Sequence, residues 1–199
     1  LSHSIPKMPL VMYERGSYVE PLKGTEVLAK ICNPYFNRTF RTFTSHRQTP
    51  ADKESPYPAV TKNGRVIYIY APIFRAYFNH GYFVYKDIVE NCIDLLMPKR
   101  LVRTNAPPST EVSLTRQPQL NRFVVHIVNF QPQRRGKHVE YIEKAYPIRD
   151  VRLEVKTEKE PEEVYLAPSK KKLQFTFKDE YTSCTVPEIS THQIVVFEL

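Results

Sequence analysis

From residue 106 onwards, apolar and polar residues alternate along short segments that recur every ten to twenty residues. Val112 and Leu114 lie in the first of these segments, residues 151–156 form a later one, and residues 194–197 form the last. Alternation with a period of two predicts strands that turn one face to a core and the other to water. Seven or eight such strands within residues 106–199 are typical of an antiparallel β-sandwich.

Residues 1–105 combine helix and strand patterns. Apolar residues recur at helical spacing between Val84 and Leu96, with charged residues between them, which predicts an amphipathic helix. The nearly unbroken apolar run at residues 65–70 is typical of a strand that is buried on both faces in a parallel sheet. A buried strand followed by such a helix forms half of an α/β layer. We therefore expect an α+β chain, in which a partial α/β layer precedes an all-β sandwich.

Other segments of the first part give weaker patterns. Residues 10–19 are predicted to form a strand or a hairpin, and residues 26–32 a short helix that ends at Asn33-Pro34. Residues 33–59 contain four prolines, which favours an ordered surface connection. Asn63-Gly64 predicts a turn.

The charge of the chain raises the question of a nucleic-acid partner. The net charge is +8 and the isoelectric point is about 9.3. However, the basic residues are scattered, and the tight clusters at residues 134–137 and 170–172 fall where turns are expected. Because no recognised binding module accompanies the charge, we expect no nucleic-acid partner.

The cysteines and the hydropathy pattern bear on location. Cys32, Cys92 and Cys184 lie far apart and form no CxxC pair, so the sequence predicts neither a zinc knuckle nor a disulfide framework. A reduced, cytoplasmic protein is the expectation. No run of roughly 18 apolar residues occurs, so we predict no membrane association.

Candidate catalytic groups are sparse. Glu14 and Glu20 are two carboxylates near Arg15, and glycoside hydrolysis requires a carboxylate pair, but the pattern fits surface charges on a strand pair better. The histidines show no metal-ligand spacing, and no GxSxG motif is present. His126 is interpreted as a core histidine, whereas His46 and His80 lie in predicted loops that suit polar contacts. The residues alone predict no catalytic site, no metal and no cofactor.

Several segments of the chain are distinctive, namely residues 9–21, 34–39, 45–50, 64–74, 125–136, 186–187 and 191–193. They resemble the rear part of a group of bacterial glycoside hydrolases, and the resemblance spans almost the whole chain. These enzymes carry an N-terminal TIM barrel, a β-galactosidase trimerisation domain related to class I glutamine amidotransferases, and a C-terminal β-sandwich.

The resemblance implies a flavodoxin-like remnant of the trimerisation domain at residues 1–105 and the terminal sandwich at residues 106–199. The catalytic barrel would lie upstream of Leu1, so the resemblance assigns no catalytic residue to this chain. We expect the chain to support that upstream domain and to associate with further copies of itself. We expect one loop of the first part to reach the active site of the barrel in the intact enzyme. The candidates for contact with a glycan substrate are Tyr13, Glu14, Arg15 and His46.

Two alternative functions remain open from the sequence. The sandwich could be a carbohydrate-binding module, which a planar row of exposed aromatic side chains on one sheet face would favour. The chain could also be a standalone hydrolase whose site is assembled only by folding.

Overall fold

The computed structural model describes residues 1, 3–45 and 49–199. It divides the chain into two compact units, Leu1–Lys99 and Arg100–Leu199. Strands make up 44% of the structure and helices 13%. Within the described residues, no helix has both the length and the apolar character that a membrane crossing requires.

In its described residues, the first unit contains one antiparallel sheet and two helices. The strand β2 lies in the centre of the sheet and pairs with β1 on one side and with β3 on the other. The side chains of Ile73, Ala76 and Tyr85 form a small buried core between the helices. The elements are β1 (Glu26–Pro34), β2 (Ala51–Asn63), β3 (Val66–Ile69), α1 (Ile73–His80) and α2 (Phe83–Leu96).

The prediction of a flavodoxin-like α/β layer is wrong. All strand pairs in the first unit are antiparallel, whereas a flavodoxin-like layer requires parallel strands joined by crossover helices. The predicted parallel strand at residues 65–70 corresponds to β3, which lies at the edge of the sheet. Val66 and Tyr68 on this strand are exposed, so its apolar run does not indicate burial on both faces.

Two local predictions are also wrong, and a third is wrong in part. Residues 26–32 belong to the strand β1 rather than to a helix, since they pair along their length with β2. A segment this short gains little from intrinsic helix propensity, and the sheet partner decides its conformation. Residues 10–19 form neither a strand nor a hairpin. The expected connection at residues 33–59 contains the first part of β2.

Other predictions for the first unit are confirmed. The predicted helix is α2, and the chain turns at Asn63-Gly64 between β2 and β3. The helix α1 was not predicted, although Pro72 directly precedes it and Gly81, with a φ of +60°, follows it. Both are common helix-end signals.

The second unit is a sandwich of two antiparallel sheets, as the alternating pattern predicts. One sheet has the order β11-β10-β14-β6-β5 and the other the order β12-β13-β9-β4. The strands of the two sheets are β4 (Val102–Thr104), β5 (Thr110–Gln117), β6 (Arg122–Asn129), β9 (Ile148–Lys156), β10 (Glu163–Ala167), β11 (Lys171–Lys172), β12 (Phe175–Lys178), β13 (Tyr181–Ile189) and β14 (His192–Glu198). A small hairpin of β7 (Gln133–Arg134) and β8 (Glu140–Tyr141) lies in the connection from β6 to β9.

The core of the sandwich forms where the inward side chains of both sheets meet. Val125 and Ile127 of β6 face Leu153 and Val155 of β9 in one fully buried cluster. A second, smaller cluster of Val124, Tyr165 and Val196 lies on the opposite face of the five-stranded sheet. β6 lies between β14 and β5 in the sheet. Because its side chains alternate between the two faces, its even-numbered residues lie on the outer face.

Candidate functional site

Residues 10–17 form a segment without regular secondary structure, and the buried Tyr85 of α2 holds it in place. The Tyr85 hydroxyl of α2 donates a 2.8 Å hydrogen bond to the Val11 carbonyl and accepts a 3.4 Å hydrogen bond from the Tyr13 amide. Burial raises the pKa of Tyr85, so this phenol remains neutral and able to donate. The segment is therefore anchored on both sides of Met12.

Gly16 allows this segment to approach the strand β3. The amide of Ser17 donates a 3.1 Å hydrogen bond to the Tyr70 carbonyl. A Cβ atom on residue 16 would lie 2.3 Å from the same carbonyl oxygen, a distance that no side chain tolerates. Glycine is required here by the close approach of two backbones.

The Glu14 carboxylate is held by three side chains of α1. The Arg75 Nε and Nη2 atoms each lie 3.1 Å from Oε2, and the Asn79 Nδ2 donates a 3.0 Å hydrogen bond to Oε1. The His80 Nε2 lies 4.0 Å from Oε1. Arg75 and Asn79 are four residues apart on the helix, so they lie on one face and enclose the carboxylate together. We call Glu14, Arg75, Asn79 and His80, with the adjacent Tyr13, the Glu14 cluster.

The environment of Glu14 stabilises its charged form. The Asn79 hydrogen bond and the Arg75 guanidinium lower the pKa of the carboxyl, and they outweigh the opposing effect of partial burial. A general acid in glycoside hydrolysis needs the opposite change, a raised pKa that keeps the proton at neutral pH. Glu14 therefore suits a fixed negative charge and a hydrogen-bond acceptor rather than a proton donor.

The Tyr13 ring lies against the imidazole of His80. The ring centroids are 4.5 Å apart and the planes are tilted by 33°. Tyr13 is partly exposed, so an aromatic face, an imidazole and an arginine lie together at this surface. Such groups contact sugar rings and hydroxyls, and they also occur at protein interfaces.

Of the four residues suggested by the sequence, the structure brings Tyr13 and Glu14 into one cluster. The Arg15 side chain is exposed and makes no ion pair with a described residue. His46 lies outside the described residues. Arg75 and Asn79 were missed because the helix that carries them was not predicted, and their four-residue spacing has meaning only on a helix.

Among the described residues, no group of three or more histidine, cysteine or acidic side chains is arranged to hold a metal ion. Two of the three cysteines, Cys92 and Cys184, are not activated nucleophiles either. Burial raises the pKa of Cys184 to about 12 and also raises that of Cys92, so both remain thiols at neutral pH.

The face of α1 next to the Glu14 cluster carries three exposed aromatic residues. Phe74, Tyr77 and Phe78 follow the i, i+3, i+4 spacing of one helix face, and they are 74%, 41% and 88% exposed. We call them the α1 aromatic surface. Single exposed apolar residues are ordinary, but contiguous aromatic patches mark interaction sites.

The exposed aromatic residues of the second unit have a different distribution. Among the described residues they are Phe130, Tyr141 and Tyr146, and all lie in the connection from β6 to β9. Neither principal sheet carries a row of exposed rings. Tyr165, on the outer face of the five-stranded sheet, is 2% exposed.

Comparison with solved structures relates this fold to a known enzyme. The α-L-fucosidase isoenzyme 2 from Paenibacillus thiaminolyticus matches 94% of the chain with 29% sequence identity and a TM-score of 0.85. The chain resembles part of a glycoside hydrolase. It spans 28% of the length of that fucosidase.

A second solved structure is much less similar. The cycloisomaltooligosaccharide glucanotransferase of Paenibacillus sp., solved with cycloisomaltoheptaose, matches 49% of the chain and 16% of its own length. The identity is 17% and the TM-score 0.37, which is too low to support an argument. Neither a scan of family models nor a search of curated proteins gives a match.

Proposed function

We propose that the chain is a non-catalytic accessory part of a glycoside hydrolase and that it mediates association between subunits. The likeness to the fucosidase supports a place in a carbohydrate-active enzyme, and the exposed aromatic surface on α1 supports the role in association. The properties of Glu14 argue against one catalytic role, because its lowered pKa is unsuited to an acid catalyst.

The α1 aromatic surface carries the proposal. The two phenylalanines expose most of their rings, and a buried aromatic residue removes about 150–250 Å² of surface from water. At about 25 cal/mol per Å², even the lower of these areas corresponds to roughly 4 kcal/mol when a ring is buried in an interface. Interface residues of this kind commonly cost about 2 kcal/mol or more when truncated.

In this account, the Glu14 cluster has a positioning role. Arg75 and Asn79 alternate along α1 with Phe74 and Phe78, so the bonds to Glu14 fix the rotation of the helix about its axis. The cluster thereby holds the aromatic side chains in one orientation. In an assembled enzyme, its polar groups would also be available to contact a bound glycan, and an α-L-fucoside is the first candidate because of the likeness to the fucosidase.

The carbohydrate-binding alternative receives less support. A glycan platform on the sandwich would need exposed rings on a sheet face, and the exposed aromatic residues described in the second unit lie in the connection from β6 to β9. We therefore place the association function in the first unit.

Sedimentation equilibrium over a wide concentration range tests the proposal. We expect the chain to form a defined oligomer. The double variant Phe74→Ser/Phe78→Ser should associate roughly 1,000-fold more weakly. Two lost contacts of about 2 kcal/mol each raise the dissociation constant by about three powers of ten.

The matched control is Phe40→Ser/Phe43→Ser, which removes two other exposed rings, 84% and 67% exposed, from a different segment of the same unit. This control should associate like the wild type. A wild-type chain that stays monomeric at all concentrations, or equal weakening in both double variants, would contradict the association role of α1.

An activity assay tests the non-catalytic part of the proposal. The purified chain should hydrolyse an aryl α-L-fucoside no faster than buffer does. Turnover that disappears in Glu14→Gln would contradict the proposal, because it would make Glu14 a catalytic residue.

A further inference from the structure

Two histidines from neighbouring strands meet on the outer face of the five-stranded sheet. His126 lies on β6 and His192 on β14, and the register pairs His126 with Ile194 and His192 with Val128. The two histidines are therefore diagonal neighbours across one strand pair. Val125 and Ile127, on either side of His126, face the core, which places the imidazole on the opposite side of the sheet.

The two imidazole rings are close and nearly parallel. The His126 Nδ1 lies 3.1 Å from the His192 Nε2, the ring centroids are 5.3 Å apart, and the planes differ by 8°. His126 is half-buried and His192 is exposed. The sequence interpretation of His126 as a core histidine is wrong, since the residue is half-buried on the face opposite the core. The pair itself leaves no local pattern, because 66 residues separate its members.

The residues around His126 and His192 leave both imidazole rings available to bind a ligand. The residues that face them across the neighbouring backbones are Ser113 on β5, Val128 on β6 and Ile194 on β14. Neither imidazole forms an ion pair with a residue that the structure describes. The only partner that either ring has in the described structure is the other ring.

We propose that His126 and His192 form a two-nitrogen chelating site for a divalent transition metal, with Cu²⁺ bound most tightly. Imidazole nitrogen is a preferred ligand of Cu²⁺, Ni²⁺ and Zn²⁺, and the order of affinities for such sites peaks at Cu²⁺. Bonds of about 2.0–2.1 Å to both nitrogens, at the observed separation of 3.1 Å, give an angle of about 100° at the metal. This angle lies between those of square-planar and tetrahedral coordination.

Binding requires a shift of one proton within a ring and a rotation of the rings that points both facing lone pairs at the metal. In the neutral pair, one ring donates its N–H to the other, so one of the facing nitrogens carries the proton. When the metal binds, that ring moves its proton to its other nitrogen, and both facing lone pairs form bonds to the metal. Two metal–water bonds are replaced, and no net proton is released from the neutral pair.

The site is an exchangeable one. No third histidine, cysteine or acidic ligand joins the pair among the described residues, so water completes the coordination. Mg²⁺ and Ca²⁺ should not bind, because they prefer oxygen ligands. The metal would link β6 to β14 from the side opposite the core, and so it should stabilise the folded second unit by mass action.

The test is a Cu²⁺ titration of the untagged chain, followed by calorimetry and by electron paramagnetic resonance. The parent protein and every variant in this experiment carry His3→Gln. Without this change, the free amino group of Leu1 and the His3 imidazole would form a second Cu²⁺ site. We expect one equivalent of bound Cu²⁺ with two nitrogen ligands. His126→Gln and His192→Gln should each weaken binding at least tenfold, since losing even an outer-sphere partner of a metal ligand costs about 10–100-fold in affinity.

The control is His138→Gln, which removes an exposed histidine from the turn between β7 and β8. It should bind Cu²⁺ like the parent protein. A second readout is the melting temperature, which Zn²⁺ should raise in the parent and in His138→Gln but not in His126→Gln or His192→Gln. Equal Cu²⁺ affinity in all variants, or binding without nitrogen ligands, would overturn the proposal. These outcomes do not depend on whether subunits associate through the α1 aromatic surface.

Discussion

The hydroxyl of Tyr85 joins the helix α2 to the segment that carries Glu14, and its removal is the sharpest test of how the site is built. Tyr85 is 1% exposed, and its hydroxyl donates to the Val11 carbonyl at 2.8 Å. The change Tyr85→Phe keeps the ring and its packing but leaves this carbonyl and the Tyr13 amide without their partner.

The expected loss follows from the two hydrogen bonds. The bond to Val11 has good geometry and contributes about 1 kcal/mol net, whereas the 3.4 Å bond from Tyr13 adds little. A partly buried carbonyl left unpaired adds a desolvation cost, so we expect Tyr85→Phe to destabilise the first unit by about 1–2 kcal/mol. For a unit of this size, the melting temperature should fall by roughly 4–16 °C.

Hydrogen exchange followed by mass spectrometry separates this effect from changes in the second unit. We expect faster exchange in the peptides that cover residues 8–20, together with a lower urea midpoint. Tyr82→Phe is the matched control, because Tyr82 packs edge-on against Tyr85 and its hydroxyl makes no hydrogen bond with a described residue. If both variants lose the same stability, or if residues 8–20 exchange as in the wild type, the hydroxyl does not anchor the segment.

Three further predictions concern stability. The folded-state pKa of Glu14 is lowered, so its contribution to stability is present above its unfolded pKa of about 4.5 and is lost as the pH falls through the folded value. Glu14→Gln should remove this acid sensitivity, which urea titrations between pH 6 and 3 measure. Gly16→Ala should destabilise the first unit by at least about 1–3 kcal/mol, since its Cβ would collide with the Tyr70 carbonyl, whereas Gly136→Ala, with its nearest contact at 3.7 Å, should have little effect in thermal unfolding. Leu153→Ala, at a fully buried position, should lower the stability of the sandwich by about 2–5 kcal/mol, measured as a shift of the urea midpoint; a shift below about 1 kcal/mol would contradict its core position.

The sequence predicts the sandwich well because its strands carry their own signal. Val151, Leu153 and Val155 alternate with charged residues, and the buried and exposed sides of β9 follow that alternation. Such a pattern depends on which face of a strand meets the core, and each strand can be recognised without knowledge of its partner.

The first unit is predicted poorly because pairing decides its structure. The apolar spacing in residues 26–32 fits a helix as well as a strand, and the long partner β2 selects the strand. The run at residues 65–70 fits a buried parallel strand, yet β3 is an edge strand with one exposed face. Short apolar segments do not reveal their neighbours, and the flavodoxin-like assignment fails for this reason.

The candidate site is half predictable for a similar reason. Tyr13 and Glu14 stand out as charged and aromatic residues in one short segment, but their partners Arg75 and Asn79 lie more than sixty residues away. The His126–His192 pair has the same character, since only the register of β6 and β14 brings the rings together. Side chains that meet through folding leave no local pattern in the sequence.

The measurement that tests the central claim most directly is hydroxyl-radical footprinting of the chain at low and high concentration. If α1 forms the contact between subunits, oxidation of Phe74 and Phe78 should fall several-fold as the chain associates, while oxidation of the exposed Phe40 and Phe43 stays constant. Association that leaves Phe74 and Phe78 fully reactive would contradict the account, because it would place the interface elsewhere on the chain.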